Sequence, residues 1–167
     1  MRPRRSALLI LLSLLGCNDG LAPRQASCPP DFIGICGTVT FRGAIPDSTD
    51  VVYVVAYANF PANRDDLFLF KPFPPDSLPL ANVSTSGRQT YRLGLPSGSY
   101  AWVLAAWKKV GAFNATNPDS LLREAGYYRD PADTTKAGVV VVSGARTDGV
   151  DFVVDFTNMH PVSFYFP

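Results

Sequence analysis

The stretch that decides the fold is Arg88–Lys109, RQTYRLGLPSGSYAWVLAAWKK. Two runs of strand-type residues, Thr90–Leu93 and Tyr100–Trp107, flank the connector Gly94–Ser99, which holds Pro96 and Gly98. Apolar runs rich in aromatic and β-branched residues, cut by Gly and Pro, predict a hairpin with a short loop. Tyr100–Trp107 is apolar on both faces, so it is expected inside a packed sheet rather than at its edge. It is read here as the central strand of a β-sandwich.

Working outward, more strands follow the same logic. Gly37–Gly43 alternates, with Val39 and Phe41 facing inward and Thr38, Thr40 and Arg42 outward. A turn at Ile45–Ser48 leads to Val51–Tyr57, a nearly continuous apolar run that suits a buried strand. Downstream, Val139–Val142 is a β-branched strand, Gly144–Thr147 turns, and Val150–Phe156 puts Val150, Phe152, Val154 and Phe156 on one face. The tail, Val162–Phe166, alternates again and is expected to add an edge strand.

Two long excursions interrupt this pattern. Asn59–Gly87 carries Pro61, Pro72, Pro74, Pro75 and Pro79, which exclude a central strand and allow only short edge segments such as Leu67–Phe70. Its rings, Phe60, Phe68, Phe70 and Phe73, are expected to pack back over an open end of the sandwich; the sharper alternative is an exposed aromatic-proline recognition surface. Lys109–Gly138 holds a predicted short helix over Asn117–Glu124, with Asn117 as N-cap, Pro118 in the first turn and Asp119 complementing the dipole. The expected fold is therefore all-β, one sandwich of about seven strands with two excursions and one short helix.

Length and composition agree. The 167 residues suit one domain with insertions, and 12% aromatics with 15 prolines favour strands and loops over helices. The first residues read as an address instead of structure. Arg2, Arg4 and Arg5 precede the apolar run Ala7–Leu15, nine residues long, whereas a membrane span needs about 20. The run ends in Leu14-Leu15-Gly16-Cys17, which resembles a bacterial lipobox. That resemblance implies a signal peptide over residues 1–16, diacylglyceryl modification of Cys17, a lipidated tether over 17–27 and a domain over 28–167. Asn18 after the cysteine implies, by likeness to enterobacterial sorting signals, an outer-membrane or cell-surface location.

Loss of Arg2, Arg4 and Arg5 leaves 12 of the 15 basic residues against 14 acidic ones, a net charge of −2. No basic stripe remains to suggest nucleic acid as a partner. The other two cysteines, Cys28 and Cys36, are an even number for an oxidising compartment and are expected to form a disulfide. A zinc site is disfavoured, because two cysteines without nearby histidines do not complete a tetrahedral shell.

With the strands placed, the segments Gly37–Thr40, Val51–Tyr57, Tyr91–Tyr100 and Gly149–Phe152 together resemble the carboxypeptidase regulatory-like domain, an immunoglobulin/transthyretin-like sandwich. Leu95-Pro96-Ser97-Gly98-Ser99-Tyr100 is the most specific piece. The resemblance covers about half of the mature chain and implies a structural or interaction module in the cell envelope. It does not extend to the transthyretin-like hydroxyisourate hydrolases, whose several histidines and C-terminal Tyr-Arg-Gly-Ser have no counterpart. Here His160 is the only histidine, and the chain ends Phe164-Tyr165-Phe166-Pro167.

The sequence holds no nucleophile elbow, phosphate loop or metal-ligand cluster, so neither a metal nor a cofactor is expected. His160 is read as a surface or satisfied histidine. Asp65-Asp66 and the same-face pair Asp151/Asp155 are read as solvated carboxylates, and Glu124 is the only glutamate. The triplets Asn82-Val83-Ser84 and Asn114-Ala115-Thr116 match a glycan acceptor pattern and are read as coincidence beside a bacterial-type leader.

The expected function is that of a lipid-anchored, non-enzymatic envelope protein whose partners are the membrane and a surface glycan or envelope protein. Trp102 and Trp107, five apart, should lie on opposite faces of their strand. A patch of Trp107, Tyr127 and Tyr128 would make the alternative, a carbohydrate-binding module, since aromatic rings stack on sugar faces.

Overall fold

The computed structural model describes residues 28–80, 87–113, 116 and 118–167. The leader, Cys17, the tether, Asn82, Asn114 and Asn117 lie outside the described residues. The strands are β1 Gly34–Arg42, β2 Thr49–Tyr57, β3 Arg88–Gly94, β4 Gly98–Tyr100, β5 Trp102–Lys109, β6 Leu122–Tyr127, β7 Val140–Val142, β8 Arg146–Thr147, β9 Phe152–Asp155 and β10 His160–Pro161, followed by one helix, α1 Val162–Tyr165. The fold is all-β. In the first sheet β1 pairs antiparallel with β3; its other edge pairs in parallel with β8 and then with β9. The second sheet has the antiparallel order β10-β6-β5-β2, and β4 and β7 form a separate ribbon.

Alternation along each strand builds the layer between the sheets. Val52, Val54 and Ala56 of β2 and Val103, Ala105 and Trp107 of β5 meet Ile35, Val39, Tyr91, Leu93 and the expected face Val150, Phe152, Val154 and Phe156 in one core. The polar tips in this layer are satisfied. Trp107 Nε1 donates to Thr49 Oγ1 at 2.7 Å, and Tyr91 Oη donates to the Val150 carbonyl at 2.7 Å. Burial raises the Tyr91 phenol well above the usual tyrosine range, with the Asp151 charge adding to it. Where β6 meets β9 the backbones touch: a Cβ on Gly126 would lie 1.9 Å from the Val153 carbonyl oxygen, and φ there is +153°. Cys28 and Cys36 are disulfide-bonded, and Arg146 donates to the Cys28 carbonyl at 2.8 Å.

β5 is internal to its sheet, as expected, but it does not form a hairpin with β3. Those two strands belong to different sheets, and the connector between them crosses the sandwich. The crossing is fixed by Leu95 and Tyr100, both buried in the core, and by the Tyr100 hydroxyl donating to the Pro96 carbonyl at 2.9 Å. Ser99 and Tyr100 turn away to pair with β7.

The helix expected over Asn117–Glu124 is corrected too. Pro118–Ser120 is a single 3-10 turn, and Leu122–Tyr127 is strand β6, hydrogen-bonded to β5. Leu, Arg, Glu and Ala favour helix locally, but β5 has an open edge whose backbone groups need partners, and tertiary pairing overrides propensity. The edge strand expected over Val162–Phe166 is likewise helical over Val162–Tyr165, and only His160 and Pro161 pair with β6. Pro161 has no N–H to continue a ladder. The first excursion meets β2 at Ala56–Lys71 and Tyr53–Ser77, while Asp65–Phe68 is a 3-10 turn instead of an edge segment. The Gly144–Thr147 turn includes the two-residue strand β8.

Candidate functional site: an apolar groove on the outer sheet face

The residues of β2 and β5 that do not enter the core form a second apolar surface. Tyr53, Val55 and Tyr57 alternate outward along β2, as do Trp102, Leu104, Ala106 and Lys108 along β5. This explains why the run around Trp102–Trp107 is apolar on both faces. Trp102 and Trp107 do point opposite ways, Trp107 into the core and Trp102 into the outer cluster.

Cover for that outer face comes from the first excursion and from the C-terminal segment. Phe60 packs on Trp102 at 4.7 Å between ring centroids, Tyr57 meets Phe70 edge-on at 6.5 Å, and Tyr165 of α1 meets Trp102 edge-on at 5.3 Å. The Tyr57 hydroxyl donates to the Leu67 carbonyl at 2.7 Å, tying the first excursion to β2. The phenylalanines thus lie over the outer face of the sheet, not over an open end. The cover is incomplete and leaves a groove of about 420 Å³, floored by Tyr53, Leu104 and Ala106 and walled by Phe70, Phe73 and Tyr165. Phe68 and Phe113 meet edge-on at 6.0 Å across its rim, and Phe73 is 78% exposed.

One polar cluster sits beside this apolar surface. Glu124, whose side chain is 6% exposed, accepts from the Tyr165 hydroxyl at 2.8 Å and is paired with His160 Nδ1 at 2.8 Å. Burial first, and then the Glu124 charge, push the Tyr165 phenol well above the ordinary tyrosine range. The C-terminal segment is held further by Ser163 N donating to Asp119 Oδ1 at 2.7 Å and by Arg64 donating to the Phe166 carbonyl at 3.0 Å. His160–Pro167 is in effect a strap across β6, with Glu124 as its clasp. The sequence contains one glutamate and one histidine, and the fold pairs them across 36 positions. The pairing depends on Glu124 lying in strand β6, opposite His160 of β10, and not in a helix.

The predicted patch of Trp107, Tyr127 and Tyr128 is not brought together. Trp107 is buried in the core. Tyr127 and Tyr128 line a separate polar cleft of about 610 Å³, together with Arg42, Arg129, Asp155 and Asn158. Asp151 and Asp155 share an outward side but bind different partners, the Thr38 amide and Thr157 respectively. Hydrogen bonds from Thr157, with a smaller contribution from Arg42, hold the Asp155 carboxyl below the usual range. Asp66 accepts from the Ala62 amide at 2.9 Å. Among the described residues no group of three or more His, Cys, Asp or Glu is placed to hold a metal ion.

Fold and groove together define an all-β sandwich that carries a preformed apolar site on the outer face of its second sheet. No family model matches the chain, and neither a curated protein nor a solved structure matches it.

Proposed function

We propose that this protein is a lipid-anchored, non-enzymatic module of the cell envelope that works by recognition, with the groove as its recognition site. The observation that carries the reading is the groove itself. Soluble proteins seldom leave aromatic rings as exposed as Phe73 around an open apolar cavity unless something docks there. The lipobox-like leader and the likeness to carboxypeptidase regulatory-like domains support an envelope module.

The glycan alternative is favoured by the polar cleft, where Tyr127 and Tyr128 stand beside Arg129 and Asn158. Arg129, however, lies 4.5 Å over the Tyr127 ring and covers the face that a sugar would stack on. The groove is therefore the stronger site.

The test fills the groove floor. Ala106 points away from the core, so Ala106→Trp blocks the cavity without touching the inter-sheet layer. The native chain should bind 1-anilinonaphthalene-8-sulfonate saturably at one site, and A106W should weaken this by about tenfold or more. No saturable site, or equal binding by A106W, refutes the reading.

A further inference from the structure

A second surface lies on the first sheet, apart from the groove. We infer that the open edge of β3 docks an extended peptide as an added strand, with one acidic residue of that peptide beside Arg92. The register makes the edge readable. Phe41 N donates to the Gly87 carbonyl, and the β1–β3 pairs keep one register from Gly34↔Gly94 to Thr40↔Arg88. Antiparallel pairs alternate between hydrogen-bonded and open ones. Gln89, Tyr91 and Leu93 therefore exchange bonds with β1, while Thr90, Arg92 and Gly94 turn their N–H and C=O groups outward. The β1 side agrees. The Cys36 carbonyl and the Thr38 amide, opposite Arg92 and Thr90, bond away from β3, to the Val150 amide and to Asp151.

Among the described residues no strand pairs with that side of β3. Other long edges are covered. The outer edge of β2 takes bridges at Lys71 and Ser77, and β9 runs against Gly126 of β6. β3 has seven residues, with no proline and no bulge to blunt it. A cleft of about 600 Å³ lies alongside, bounded by Gln89–Gly94 on one side and Asp76–Pro79 on the other, with Val54 and Leu78 reaching it from the core. Backbone groups offered at every second residue, beside an open cleft, are what a β-strand recognises; a sugar or nucleotide has no matching two-residue repeat.

Charge narrows the choice of strand. The arginine ion pairs among the described residues are those of Arg42, Arg64 and Arg146, so Arg92, which is exposed, is in none of them. Arg88 lies on the same outward face of β3. Two copies of β3 paired edge to edge would therefore place four arginines on one face, which like-charge repulsion opposes. A carboxylate beside Arg92 is attracted instead. Asp76 stands on the far wall of the cleft, so a single acid is favoured over a run of them. The residues alternating with that acid turn inward toward Val54 and Leu78 and are best apolar.

The test adds two synthetic peptides to the full chain and reads amide exchange residue by residue. Each peptide has seven residues, the length of β3, with valine at the odd positions, threonine at the others and a central glutamate or lysine. Without peptide, the Thr90, Arg92 and Gly94 amides should exchange fast and those of Tyr91 and Leu93 slowly. The glutamate peptide should slow the first three by about tenfold or more. The lysine peptide should bind about fivefold less tightly, since an exposed attraction becomes a repulsion. Arg92→Glu should reverse that order. Thr90→Pro removes one outward N–H while leaving the β1–β3 bonds in place, and should weaken the glutamate peptide by about fivefold or more. Slow exchange at Thr90 and Arg92 before any peptide is added would show that the chain covers its own edge. Protection that rises with protein concentration alone would assign the edge to a second copy. Either result overturns the proposal, as does protection by neither peptide or equal affinity for both. None of these outcomes bears on the groove.

Discussion

Replacing Glu124 by alanine removes the carboxylate that binds two side chains of the C-terminal strap to β6, leaving only the backbone pairing of His160 and Pro161. Two hydrogen bonds are lost, from His160 and from Tyr165, each 2.8 Å long and made to a side chain only 6% exposed. Bonds to a charged acceptor contribute about 1.5–3 kcal/mol each. His160 is 27% exposed and recovers part of its loss from water, whereas Tyr165 is left with its hydroxyl beside Trp102 and little water to replace the carboxylate. The expected cost is about 3–4 kcal/mol, or about 10 °C in Tm for a domain of this size. Glu124→Gln keeps the shape and one carbonyl acceptor, so it should cost about half as much. Urea denaturation measures both, and amide exchange at Ser163–Phe166 should accelerate in E124A before the core strands respond. An E124A variant within about 0.5 kcal/mol of wild type would refute the clasp, as would a destabilised variant whose C-terminal amides exchange no faster than before.

Other perturbations probe the rest of the frame. Gly126→Ala would drive a Cβ to 1.9 Å from the Val153 carbonyl, so a loss above about 3 kcal/mol or failure to fold is expected; a variant of native Tm would mean that β6 and β9 do not touch. Reducing Cys28–Cys36, eight positions apart, should cost about 2–3 kcal/mol by chain entropy, read as a lower urea midpoint with a reductant present; an unchanged midpoint contradicts this bridge. The Tyr91 phenol titrates higher in the folded chain than in the unfolded one. Its contribution is therefore constant below about pH 10 and is lost above it, at about 1.4 kcal/mol per pH unit. Wild type should lose stability over pH 10–11 more steeply than Tyr91→Phe, and parallel curves would show that Tyr91 is not buried.

Strand identity was legible wherever burial on one or both faces wrote itself into the chain. Val150, Phe152, Val154 and Phe156 were readable because period-two alternation and burial are the same fact. The apolar second face of β5 was readable too, but not what covers it. Partner choice was not legible: nothing local in Gly94–Ser99 distinguishes a hairpin from a crossing, which depends on where Leu95 and Tyr100 find the core. Glu124 lies in a strand although Leu122–Ala125 favours helix, because the open edge of β5, where Lys108 pairs with Leu122 and Ala106 with Glu124, takes the segment as its neighbour. The groove depends on that edge and on the strap, so neither it nor the His160–Glu124 pair could be seen from spacing alone.

Native mass spectrometry of the full chain released from its membrane tests the central claim most directly. The account predicts a one-to-one adduct with added 1-anilinonaphthalene-8-sulfonate on the wild-type protein and its loss in Ala106→Trp. An unliganded wild type, or the same adduct in both proteins, would contradict it.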